Sequence, residues 1–211
     1  MFDKNFYNKD YYHNNKTGQY TDLAKMGEYN DYMVEKTLIL KMVFNPKSVL
    51  ELGCGTGQLV DIFRMNGVEA YGIDISKYAT ANNKNLICGD VCVVDYPLTD
   101  MVCSFDLLEH LTEEQIDIVI DKCGKFPIMF HSISTSFDEY GDVTWIKGMD
   151  KSHISMHSPS WWLKKFYDQY GTKYFITLFT RTDYISIDEG KHKFTNTNFI
   201  LSKQSKKMAH I

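Results

Sequence analysis

Three observations predict a doubly wound α/β fold, with a mainly parallel seven-stranded sheet and an antiparallel strand at one edge. Strand-like and helix-like segments alternate through the middle of the 211-residue chain, a glycine-rich turn joins the first strand to a helix, and acidic residues stand at successive strand ends. Such alternation implies parallel strands whose crossovers cover both faces of the sheet. The length suits one domain of this kind with a few additions. Apolar residues make up 44% and charged residues 24%, so a sizeable core is expected and disorder is not.

Residues 1–30 are polar but aromatic-rich, with Phe6, Tyr7, Tyr11, Tyr12, Tyr20 and Tyr29. Residues 31–43 carry Val34, Leu38, Ile39 and Met42 at helical spacing, and Asn45-Pro46 ends that helix. Ser48–Leu52 reads as a buried strand, followed by glycines and a helix from Gln58 to Met65. Glu69–Ile73 is the second strand, Lys77–Asn83 a helix, Leu86–Cys88 the third strand and Met101–Phe105 the fourth. Thr112-Glu-Glu-Gln115 is a capping signal that opens a helix to Cys123. Phe126–His131 is the fifth strand. Ser158-Pro159 opens a helix whose apolar face includes Trp162, Phe166 and Tyr170. Tyr174–Phe179 and Phe194–Leu201 close the sheet as antiparallel neighbours at one edge. The chain thus divides into an N-terminal helical and aromatic segment (1–45), a ligand-binding domain (46–203) and a solvated tail (204–211).

The net charge of −4 and pI near 6.0 argue against a phosphate-rich partner, so nucleic acid is not expected. No apolar run approaches the ~20 residues that span a bilayer, and no signal peptide is read at the charged N-terminus, so the cytoplasm is the expected compartment. The five cysteines form no C-x-x-C pair and are expected to be small buried hydrophobes, with Cys54, Cys88 and Cys103 in or beside strands. The oligomeric state stays open, a homodimer included.

The chemistry concentrates in Val49-Leu-Glu-Leu-Gly53-Cys54-Gly55-Thr-Gly57. Glycines at alternate positions admit positive φ and a close approach of ligand to backbone, at the strand ends where α/β sheets bind ligands. A dinucleotide loop would space its glycines G-x-G-x-x-G around a pyrophosphate. Here the spacing is G-x-G-x-G, and Glu51 just ahead would repel a pyrophosphate but suits an ammonium. Asp74 ends the second strand, where an acid accepts from a ribose diol. Asp90 ends the third, placed for an adenine amino group, with Ile75 and Val91 as flanking contacts. An ammonium, a diol and an adenine together describe S-adenosylmethionine (SAM).

The loop Glu51-Leu-Gly-Cys-Gly-Thr-Gly57, the pairs Ile73-Asp74 and Gly89-Asp90, and Phe105-Asp-Leu-Leu-Glu-His-Leu111 resemble class I SAM-dependent methyltransferases. The resemblance covers about residues 45–170 and is nearest the small-molecule branch of ubiquinone-pathway O-methyltransferases and sugar methyltransferases. It implies a Rossmann-like fold in which Gly53, Cys54, Gly55 and Gly57 line the cofactor and Asp74 holds the ribose. Asp90 would bind adenine, Phe105 would offer its carbonyl to the ammonium, and His110 would contact the cofactor. S-adenosylhomocysteine would be the product. No metal is assigned to Asp106, Glu109 and His110.

Tyr12 and Tyr20 are candidate lid contacts over the cofactor, the alternative being an amphipathic arm packed on the domain. Asp150-Lys-Ser-His153 through Trp161-Trp162 resembles a D-x-x-H-x-x-x-x-S-x-x-W-W pattern of the same branch. His153 is the candidate general base, since an imidazole with a pKa near ~6.5 can take a proton from a hydroxyl; a structural histidine is the other reading. The expected reaction is methyl transfer to a small molecule, first of all a hydroxyl of a sugar or related metabolite. RNA or protein methylation and a non-catalytic SAM-binding scaffold are the alternatives. No Asn/Asp-Pro-Pro-Tyr/Phe signature follows the fourth strand, which disfavours nucleic-acid amino groups.

Overall fold

The computed structural model describes residues 6–14, 31–135, 152–187 and 190–203. They divide into two compact units, residues 1–104 and 105–211. The fold is the doubly wound α/β class expected, with seven strands: order β3-β2-β1-β4 in the first unit and β5-β7-β6 in the second.

In the first unit, β1 (Ser48–Leu52) pairs in parallel with β2 (Glu69–Asp74) and with β4 (Met101–Phe105), and β2 pairs with β3 (Leu86–Cys88). The interior of β1 and all of β4 are buried, as near-continuous apolar runs in a covered parallel sheet should be. A short helix α1 (Lys9–Asn14) precedes α2 (Asp31–Phe44), which stops where expected at Asn45-Pro46. The periodic residues of α2 are not its buried side. Thr37 and Leu40 are buried, while Leu38, Ile39, Met42 and Val43 face solvent, Met42 at 79% exposure. Thr37 is tolerated inside because its hydroxyl donates to the Met33 carbonyl (2.7 Å). Helix α2 packs on α3 (Gln58–Met65), whose Leu59, Val60, Ile62 and Phe63 are buried.

Helix α4 (Lys77–Thr80) ends three residues before the expected Asn83. Asn83 competes with the helix: its side chain accepts from the Asn85 N–H (3.0 Å) and donates to Asp61 (2.9 Å). Of the cysteines expected inside, Cys54, Cys103 and Cys123 are buried; Cys88 is exposed and Cys92 half-buried. Cys88 lies on β3, the outermost strand of its unit, which leaves its side chain uncovered.

In the second unit, α5 (Glu113–Cys123) starts at Thr112 with both capping-box bonds formed. Strand β5 (Ile128–Ser134) begins after Pro127, which lacks an N–H for the ladder. Helix α6 (Pro159–Tyr170) buries Trp162, Phe166 and Tyr170 as read from the sequence. Strands β6 (Tyr174–Ile187) and β7 (Gly190–Lys203) are antiparallel and run beyond the segments expected. Their outer halves are rich in Thr, Tyr and Ile, favourable in strands, but interrupted by charges that hide the alternation. Among the described residues, no helix is long and apolar enough to cross a membrane.

Candidate cofactor site and histidine array

The glycine loop of the first unit is held by backbone bonds. Gly53, Gly55 and Gly57 adopt φ of 69°, 52° and 82°, a region other residues enter at a cost. The Gly53 and Cys54 N–H groups both donate to the Ile73 carbonyl (2.8 and 3.1 Å), clasping the loop to the end of β2. A methyl group added at Gly57 would lie 2.9 Å from the Leu86 methyls, so bulk is excluded there as well. Gly55 faces Tyr12, whose ring carbon is 3.9 Å from where a Cβ would stand. Tyr12 is buried, edge-on to Tyr11 and tilted against Tyr78. Tyr20 lies outside the described residues.

Asp74 is 8% exposed and accepts two backbone bonds, from Gly55 N–H at Oδ2 and Ser76 N–H at Oδ1, each 2.8 Å. Burial raises its pKa against the lowering by those two donors. Each carboxylate oxygen has a second lone pair, so a diol could still be held. Glu51 is different. It is 3% exposed, and its Oε2 has no hydrogen-bond partner. Burial first, then the charges of Asp74 and Asp61, hold its carboxyl well above the ordinary range. An orphaned buried carboxylate among like charges is costly alone and is suited by a cation. The first unit therefore fits the ammonium and diol of SAM on its own geometry.

Asp90 is half-buried in a turn that uses one of its oxygens, which accepts from Cys92 N–H (2.8 Å). Its neighbour Val91 is buried, and Ile75, between Asp74 and Ser76, is half-buried. Sequence reasoning missed Ser76, which caps α4 and donates from Oγ to the Tyr7 carbonyl (2.5 Å). The signal was there, a serine placed just before a short helix. That bond ties the aromatic N-terminal segment to the strand end carrying Asp74.

In the second unit, Phe105 is buried against Phe130, ring centroids 5.3 Å apart. The short 3-10 turn Leu108–His110 follows. His110 Nδ1 lies 2.9 Å from Ser152 Oγ, and the His110 and His153 rings meet edge to face at 4.6 Å. His153 is 2% exposed. Asp106, at φ 49°, accepts at Oδ1 from Ser134 Oγ and Asn196 Nδ2, both 3.4 Å. Ser134 and Asn196 stand opposite one another on β5 and β7, too far from Asp106 in sequence for any motif to link them. Among the described residues there is no group of three or more His, Cys, Asp or Glu that could hold a metal ion.

A family model described as a methyltransferase domain matches residues 26–122. Comparison with curated proteins by sequence finds no match. Several solved structures share the fold. A SAM-dependent methyltransferase from Archaeoglobus fulgidus is 15% identical at a TM-score of 0.64, covering 88% of this chain and 100% of its own. Magnesium protoporphyrin IX methyltransferase (ChlM) from Synechocystis PCC 6803, solved with bound S-adenosylhomocysteine, is 18% identical at 0.59, covering 92% and 97%. TehB from Haemophilus influenzae is 14% identical at 0.62, covering 81% and 62%. Residues 26–122, with the glycine loop and the acidic strand ends, thus match a methyltransferase domain, and the chain has the fold of these SAM-dependent methyltransferase neighbours.

Proposed function

We propose that this chain is a SAM-dependent methyltransferase acting on a small-molecule acceptor, at a hydroxyl of a sugar or related metabolite, with His153 as general base. The observation that carries the reading is the buried His153 ring lying edge-on to His110, which is itself 2.9 Å from Ser152. An imidazole fixed in this way can accept a hydroxyl proton at a ring nitrogen without first reorganising. ChlM, among the neighbours, methylates a small molecule, which supports the acceptor class. The acidic net charge of −4 favours such an acceptor over nucleic acid.

When bound, SAM supplies an electrophilic sulfonium methyl group and leaves as S-adenosylhomocysteine. Glu51 would meet its ammonium, Asp74 its ribose hydroxyls, and Asp90 its adenine amino group. Gly53, Cys54, Gly55 and Gly57 would give backbone access, with Ile75, Val91 and His110 as further contacts. Tyr12, over Gly55, would exclude water, with Tyr20 in the same role. The proposed compartment is the cytoplasm, where thiols such as those of Cys54, Cys88 and Cys123 stay reduced.

His153→Ala is the test. With hydroxylated acceptors and labelled SAM, its turnover should fall at least ~100-fold, the usual scale of a lost general base, with SAM affinity by calorimetry unchanged. Undiminished turnover would retire the role, and methylation of RNA or protein alone would overturn the acceptor class.

A further inference from the structure

Glu109 is fully buried in the middle of the Leu108–His110 turn. Its main-chain carbonyl accepts two N–H bonds, from Ile154 and Ser155, both 2.9 Å. Its carboxylate Oε1 accepts the Ser134 N–H at 2.8 Å, at the last residue of β5. One residue thus fastens three stretches of chain: its own turn, the end of β5, and the stretch that carries Ser152 and His153. The next residue in sequence is His110, which touches both Ser152 and His153. The same turn opens with Asp106 in a left-handed conformation, its N–H donating to the Ser132 carbonyl (2.9 Å). Such a conformation is uncommon for a residue with a side chain, so the turn is held by its bonds.

The second carboxylate oxygen, Oε2, is buried with no hydrogen-bond partner. An anion there would be expensive. Burial first, and the charge of Asp106 second, raise the pKa of the Glu109 carboxyl and favour its protonated form. Protonated, it keeps Oε1 as acceptor for the Ser134 N–H. The titratable groups of the elements it joins are Asp106 and His110 of its own turn, His131 of β5 and His153; β7 brings Asn196 and Asn198, which are uncharged.

We propose that Glu109 is the positioning residue of the histidine array, clamping turn, β5 and the 152–155 stretch so that His110 and His153 keep their mutual geometry. The proposal rests on the reading of His153 as the base, but the array can be observed without turnover. Glu109→Gln keeps an acceptor for the Ser134 N–H and carries no charge. Glu109→Ala removes the acceptor, and Glu109→Asp withdraws it by one methylene should the alanine variant fail to fold. The measurement is the NMR imidazole signals of His110 and His153, beside kcat, KM for SAM and the pH profile.

In E109A or E109D both histidine signals should move and kcat should fall at least tenfold, a larger change than that in KM for SAM. E109Q should keep the signals and most of the turnover, and hold that turnover at alkaline pH where the wild type declines. Unmoved histidine signals in E109A and E109D would overturn the proposal, as would an E109Q as impaired as E109A. If the signals move as expected but the wild type methylates no hydroxyl, the clamp stands and the base assignment falls.

Discussion

Glu51 combines two liabilities of a folded protein, a buried carboxylate oxygen without a donor and two acidic neighbours. In the proposed site, a ligand that brings the missing positive charge would offset both. Glu51→Gln separates the two effects. The ligand-free variant should melt at a higher temperature than the wild type, because a carboxyl disfavoured by burial and by two acidic neighbours is gone. Its SAM affinity should fall about tenfold or more, the scale of one hydrogen bond to a charged group, by calorimetry. An unchanged affinity would place the ammonium elsewhere. The placement of Glu51, Asp74 and the three positive-φ glycines about one turn was legible because its signal is local, a carboxylate just ahead of a G-x-G-x-G turn. Ser134, Asn196 and the Glu109 clamp were not legible, because tertiary pairing alone brings together residues 28 and 62 positions apart in sequence.

Helix starts were read well where a side chain must satisfy an orphan N–H. Thr112 receives the Gln115 N–H, and the Gln115 side chain returns the bond to the Thr112 N–H. Thr112→Ala should cost about 1 kcal/mol, measured by denaturant unfolding, and Thr112→Ser much less. A loss near zero would mean that solvent caps the α5 terminus as well as the hydroxyl does. Helix α6 shows the same logic, with Ser158 accepting the Trp161 N–H and Pro159 in the first turn. Elements failed where local patterns mislead. In α2 the apolar stripe Leu38, Ile39, Met42 is the exposed side, since burial is decided by α3 and not by hydropathy. In β6 and β7 the charged residues mask a continuous ladder that only the register reveals.

For the molecule as a whole, acid and base act on different buried groups. His131 is fully buried and stacked on Phe166, and burial lowers its pKa from 6.5 to about 4. Between those values the unfolded chain takes a proton that the folded chain refuses, so stability falls as the pH drops from 6.5 towards 4. Glu109 acts in the opposite direction: its raised pKa keeps a proton that the unfolded chain releases, so stability also falls as the pH rises above 4.5. Replacing His131 by Phe, which preserves a ring against Phe166, should flatten the acid side alone. The check is unfolding free energy from urea titrations between pH 4 and 7; an unaltered acid slope would assign it to other groups.

The ladder between β6 and β7 continues to Ile187 opposite Gly190, whereas β5 pairs with β7 only from Ser202 back to Asn196. Past that point, among the described residues, β6 and β7 pair only with each other, a width that holds together only marginally in water. Its reach is therefore uncoupled from the pairing of β5 with β7. Pruning or extending this appendage, two residues at a time to preserve the pleat, changes the length of the ribbon and leaves the β5–β7 ladder unaltered.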